Sequence, residues 1–248
     1  MTKLITILAG VISSLLAVFL VESYLIVKRK IHRRRLKKVL SFHGQVCHII
    51  APIYHQELKN GLIHYRDAYA FSHLFELCHR LNVEGKLIPF HKISDVAEAD
   101  DLIVVGGPLS NKITSNYLRK YCPGFQLIYE KEASEFKELP AAANVRYVTG
   151  FRCGKHVLMA NDDEEYGILV KITEKELDQE RTVHIVFGYS GIGTGAAAYF
   201  LWKYYGKLFK KFGENKYFIA MKVSRHESYK SISATYIDLT SDAFEESG

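Results

Sequence analysis

Residues 181–200 read RTVHIVFGYSGIGTGAAAYF, and the way this stretch folds decides the architecture of the chain. Val183, Ile185, Val186 and Phe187 form an apolar run suited to a buried strand. Gly188, Gly191, Gly193 and Gly195 follow, and then three alanines at 196–198 and an aromatic run from Tyr199 open a helix. A strand feeding a helix through a glycine-rich turn aims backbone N–H groups outward at the positive end of the helix dipole. Such a place holds anions, phosphate above all. A second reading stays open: the glycines equally serve close packing of helix on strand, because their spacing fits no standard nucleotide fingerprint.

Working outward, a second stretch repeats the pattern. Residues 101–105, DLIVV, form a β-branched run of the kind found in strands covered on both faces, and GGPLSN leads on into a helix candidate. In open α/β sheets ligands lie beyond the carboxyl ends of strands. If the two strands are neighbours, Gly106, Gly107, Pro108, Ser110, Asn111 and Thr114 face Ser190, Gly191, Gly193, Thr194 and Gly195 across one cleft. Glycine turns with hydroxyls and an amide suit phosphate, ribose or a base edge.

Other chemistries find little support. The chain has no G-K-[ST] phosphate loop, and Ser190 lacks the following glycine of a nucleophile elbow, since Ile192 stands there. Seven of the eleven histidines fall between His43 and His91, without metal-ligand spacing, so no metal and no resident cofactor are expected. His48 and His184 sit in apolar runs and read as hydrogen-bonded core residues, whereas His55, His64 and His73 are placed to edge the cleft. Glu57 and Glu130 follow strands and suit a general base, but nothing pairs them, so the catalytic set is unknown. Cys47, Cys78, Cys122 and Cys153 are widely spaced and read as reduced, half-buried thiols.

Charge and hydropathy place the chain at a membrane. Residues 4–21 carry no charge, and the apolar stretch extends to Val27. At 1.5 Å per residue such a stretch covers a hydrocarbon core of about 30 Å. Residues 28–38, KRKIHRRRLKK, hold eight Lys/Arg and no acid. With Lys3 and Glu22 cancelling, removing those eight from the net +6 leaves residues 39–248 at −2. General nucleic-acid binding is therefore not expected, and the basic segment reads as a contact for anionic lipid headgroups. Charge on the carboxyl side of the span predicts a single-pass protein of the inner (plasma) membrane with its C-terminal domain in the cytoplasm. Ala9, Ser13 and Ala17, beside Gly10 and Ser14, form a small-residue seam that composition alone also explains.

Alternating strands and helices predict an α/β fold, a Rossmann-like three-layer sandwich with antiparallel β additions from about residue 141, preceded by one transmembrane helix. The expected organisation is a signal anchor at 1–27, a basic linker at 28–40 and a cytosolic domain at 41–248. In layout, and in the pair DLIVVGGPLSN and GYSGIGTGAAA, the chain resembles Rossmann-like nucleotide-sensing or nucleotide-processing domains of membrane-anchored prokaryotic defence proteins. The resemblance implies a nucleotide or nucleotide-derived ligand and transfers no catalytic residue. The resulting expectation is a homo-oligomeric, membrane-anchored sensor of a nucleotide-like phosphate ligand. Two alternatives stand beside it: a nucleoside or sugar-phosphate hydrolase or transferase using the same cleft, and a non-catalytic membrane-tethered interaction module.

Overall fold

The computed structural model describes residues 2–42, 44–52, 65–96, 100–129, 148–176 and 179–245. The chain opens with α1, Thr2–Leu40, a single helix of 39 residues. By length and composition it is apolar enough to cross a membrane: mean hydropathy reaches 2.1 within residues 10–38, and none of that apolar window is buried in the protein. Thirty-nine residues at 1.5 Å each make about 58 Å, nearly twice a hydrocarbon core.

The excess length enters the domain. Residues 28–40, expected as a linker, continue the helix, because no glycine or proline interrupts their Lys, Arg and Leu. Leu36 and Leu40, one turn apart on one stripe, are fully buried, so the packed core begins before residue 41. Ser41 takes the left-handed conformation (φ 49°) that ends helices. Three polar groups of the sheet then hold this end: Nζ of Lys171 donates to Ser41 Oγ at 2.6 Å, Oγ1 of Thr182 to the Ser41 carbonyl at 3.1 Å, and Nε2 of His184 to the Leu40 carbonyl at 2.9 Å. Complete burial, reinforced by Lys171, pushes the His184 imidazole down to about 3, so it is neutral at physiological pH.

Around that end folds a mixed α/β body. Its elements are β1 Val46–Ala51, α2 Tyr65–Leu81, β2 Glu84–Pro89, β3 Asp101–Val105, α3 Lys112–Tyr121, β4 Phe125–Tyr129, β5 Val148–Cys153, β6 His156–Met159, β7 Glu164–Glu176, β8 Gln179–Gly188, α4 Gly191–Phe212, β9 Tyr217–Ser224, β10 Ile237–Asp238 and α5 Thr240–Phe244. Seven strands form one sheet in the order β10-β9-β7-β8-β3-β1-β2. Neighbours from β2 to β8 run parallel, whereas β7 is antiparallel to both β8 and β9, and β10 is antiparallel to β9. The antiparallel expectation for the second half is thus met twice, in the sheet extension and in a separate three-stranded sheet β4-β5-β6.

Side-chain alternation along the strands separates two cores. Ile103 and Val105 of β3 face the end of α1, α2 and α4. Leu102 and Val104 face α3, α5 and the small sheet. One expectation changes in a way that matters for the site: Gly191, Gly193 and Gly195 lie inside α4, at its start, rather than in a loop. Ser190 caps the first turn, its Oγ accepting the Ile192 N–H at 3.1 Å, which starts the helix five residues before the alanine run.

Candidate functional site

The two glycine turns meet. β3 and β8 are adjacent and parallel, with Val105 opposite Val186, and the Gly106 N–H donates to the Val186 carbonyl at 3.0 Å. Gly106 sits at φ 95°, where a side chain is strained, and a Cβ there would also crowd Pro52 at 3.0 Å. A cleft of about 160 Å³ opens between the turns, lined by Gly106, Gly107, Pro108 and Ser110 on one side and Tyr189, Ser190, Gly191 and Thr194 on the other. Asp67 at the start of α2, with Leu109, Leu127 and Phe151, completes the wall.

The positive end of α4, however, already holds an anion. Glu165 of β7 is fully buried, and its Oε1 accepts the N–H of Gly193 at 2.6 Å and that of Ser190 at 3.3 Å. The Ser190 hydroxyl donates to the same carboxylate at 2.8 Å, and Arg225 Nε lies 3.5 Å away. Glycine makes this approach possible: a Cβ on Gly193 would fall 2.6 Å from the Tyr166 carbonyl, and one on Gly188 2.6 Å from the Gly193 Cα. A Cβ on Gly167, opposite Gly188 in the β7–β8 ladder, would fall 2.5 Å from the Gly193 carbonyl. At these three positions the close-packing reading holds, and the helix dipole is satisfied by the protein's own carboxylate.

Of the other expected residues, several are committed to the turns themselves. Asn111 is buried, its amide donating to the Val105 carbonyl at 2.9 Å and its Oδ1 capping Ile113 N–H at 2.9 Å. Thr114 Oγ1 donates to the Gly106 carbonyl at 2.7 Å, and Thr194 Oγ1 to the Ser190 carbonyl at 3.0 Å. Asn111, Thr114, Gly193 and Gly195 do not line the cleft; Gly195 faces Tyr229 and Tyr69 instead. The residues the sequence did not reveal are Glu165, Asp67 and Tyr189. Glu165 sits in an acidic strand start that reads as solvated; the available signal was Gly167, an isolated strand glycine, which marks a close backbone approach.

A second groove of about 350 Å³ adjoins the cleft at Gly191, lined by Tyr69, Ile192, Tyr229, Lys230, Glu227 and Ser228. The rings of Tyr69 and Tyr229 lie 5.3 Å apart, and Tyr69 is 54% exposed, leaving a ring face for a planar ligand. The cleft alone is smaller than the ~300 Å³ lower limit of small-molecule sites, and its volume suits a group no larger than a phosphate or a sugar. The lining of cleft and groove carries Asp67 and Glu227 against Lys230, without the concentration of cations that polyphosphates call for.

The histidines divide as follows. His48 pairs with Asp100 at 2.7 Å, and His184 holds α1. His73 lies away from the cleft, buried among Tyr199, Trp202 and Tyr229, with Nε2 3.0 Å from the Tyr229 hydroxyl. His55, His64, Glu57 and Glu130 lie outside the described residues. Among the described residues no cluster of three metal-ligating side chains occurs, and all four cysteines are free and buried. Neither a protein-family model nor a curated protein matches this chain.

Proposed function

We propose that this protein is a single-pass, membrane-anchored sensor with a cytoplasmic, Rossmann-like domain, binding a nucleotide-like ligand of low charge at the junction of the two glycine turns. The supporting layout is a sheet whose neighbouring parallel strands β3 and β8 send the helices that follow them to opposite faces, α3 to one and α4 to the other. Crevices at such a reversal are the usual ligand sites of open α/β sheets. A ribose or a singly charged phosphodiester fits the cleft, against the backbone of Gly107 and the hydroxyl of Ser110. The base fits the exposed face of Tyr69, and Asp67 is placed to accept a sugar hydroxyl.

One observation carries the sensing role: α4 links the cleft to the membrane helix. Its first turn forms the cleft wall, and Tyr205, about 21 Å along the same helix at 1.5 Å per residue, hydrogen-bonds His32 of α1. At Tyr204 the helix departs from helical geometry (φ −108°, ψ 16°), so the segment touching α1 is set off from the segment touching ligand. A ligand that prefers one angle at this joint shifts the α1 contact by its differential affinity for the two arrangements. The eight Lys/Arg after the span support a cytoplasmic domain, and the four unoxidised thiols accord with that compartment.

Calorimetric titration of the full chain in nanodiscs with cyclic mononucleotides, mononucleotides and nucleoside triphosphates tests this reading. Saturable binding of the first two classes, weakened by Ser110→Val or Tyr69→Ala, is expected. Absence of binding by every nucleotide at millimolar concentration overturns it, and turnover of a bound nucleotide would assign the cleft to an enzyme instead.

A further inference from the structure

A notch between α1 and α2 is strongly cationic. It encloses about 520 Å³ and carries Lys28, Arg29 and Arg33 from α1 and Arg80 from α2, with His32 and His79 between them. Leu25 closes the end nearest the apolar stretch. The residues of α1 that line it, spaced three and four apart, continue upward the stripe that buries Leu36 and Leu40 below. The docking seam between α1 and the domain therefore opens into a cationic pocket where the helix leaves its apolar segment.

We propose that this pocket receives the phosphate of an anionic membrane phospholipid; the proposal rests on the reading of α1 as a membrane helix and is independent of the cleft ligand. Three facts support a built site over diffuse attraction. Arg80 is oriented in advance: its guanidinium lies 4.5 Å from the Trp202 ring centroid and 2.6 Å from Glu76 Oε1, so little freedom remains to be lost on binding. Its neighbour His32 is fixed by Tyr205. Among the described residues Glu76, already shared with Arg80, is the carboxylate ion-paired to this cluster, and cations outnumber it around a space of headgroup size. Location selects the lipid over a soluble phosphate: residues 25–33 span about 12 Å along the helix, starting in the apolar stretch and crossing the headgroup layer. A headgroup clamped there ties α1 to α2 and sets the tilt of the domain on the membrane.

The test is retention of phosphatidylglycerol. The full chain is inserted into phosphatidylcholine nanodiscs doped with phosphatidylglycerol, extracted into zwitterionic detergent and examined by native mass spectrometry. Wild type is expected to keep phosphatidylglycerol in preference to phosphatidylcholine. Arg80→Gln and Arg33→Gln each lower retention about tenfold, the loss of one charge-assisted pair, whereas Arg34→Gln, an equal charge change outside the pocket, leaves it unchanged. Circular dichroism checks folding, and Arg33→Gln decides if Arg80→Gln unfolds. Equal losses in all three variants would mean diffuse attraction and overturn the proposal, as would displacement of the lipid by millimolar glycerol phosphate, which would assign the pocket to a soluble ligand. Failure to insert into discs overturns the membrane reading itself; insertion without selective retention overturns the pocket alone.

Discussion

The carboxylate of Glu165 accepts the backbone N–H of Gly193 at 2.6 Å, and through that bond a β-strand side chain occupies the anion position at the start of α4. An acid buried against a helix N-terminus and a capping serine is stabilised by the dipole and by charge-assisted hydrogen bonds. Removing it strands those donors. Glu165→Ala is expected to cost about 3 kcal/mol and to create a vacancy that inorganic phosphate fills. Thermal melts should show phosphate raising the stability of the variant and leaving wild type unmoved; equal response of both would place phosphate elsewhere.

Two glycines of one motif have opposite tolerance. Gly193→Ala forces a Cβ to 2.6 Å from the Tyr166 carbonyl and 2.8 Å from Glu165 Oε1, both held by the sheet. A loss of about 3 kcal/mol is expected, at the upper end of overpacking. At Gly195 the nearest atom is 3.5 Å away, an ordinary contact on Tyr229. Gly195→Ala should gain about 0.5–1 kcal/mol from helix propensity. Denaturant titrations of the pair measure the contrast.

Docking of α1 is part of the fold rather than a tether. Leu36 and Leu40 are fully buried in the core shared by α2 and α4, so Leu36→Ala and Leu40→Ala should each cost about 2–5 kcal/mol. Val27→Ala, in the exposed stretch, should leave the melting of the domain unchanged. Differential scanning calorimetry in micelles distinguishes them.

The same joint is acid-sensitive. His184 titrates near 3 in the fold against an ordinary 6.5, so between those values the unfolded chain binds the extra proton. Stability is full above pH 6.5 and falls as pH drops toward 3, with a slope approaching about 1.4 kcal/mol per pH unit from this group. His73, also lowered by burial, adds in the same direction. Glu174 behaves as the later event: Arg181, Tyr117 and Tyr121 outweigh its burial and hold its carboxyl down to about 2. Its contribution is intact above 4.5 and is lost as pH falls from there through 2. Unfolding measured between pH 6.5 and 4.5 should therefore be flatter in His184→Gln than in wild type, with the two curves steepening together below 4.5.

Much of the architecture was legible because it follows from periodicity. DLIVV and the run before Gly188 carry no polar face, and they prove to be adjacent inner strands. The long apolar helix is likewise plain in composition. What escaped is what depends on contacts across the chain. Nothing local distinguishes Glu165 from a solvated carboxylate until β7 is laid beside the start of α4. The basic segment 28–40 hides its buried Leu36 and Leu40 among eight cations, so a docked helix reads as a linker. Likewise Asn111 and Thr114 look like ligand contacts, since side chains that cap a turn and side chains that bind through it are the same types.

Trp202 is the sole tryptophan, and it lies on α4 between the cleft and the Tyr205–His32 contact, stacked against His73 and Arg80. Its fluorescence therefore reports on the segment that would carry a signal to α1. In nanodiscs holding the full chain, titration with a cyclic mononucleotide should produce a saturable change in Trp202 emission that Ser110→Val shifts to higher concentration. Binding detected by calorimetry with Trp202 emission unchanged would contradict transmission along α4 and leave the cleft without a route to α1.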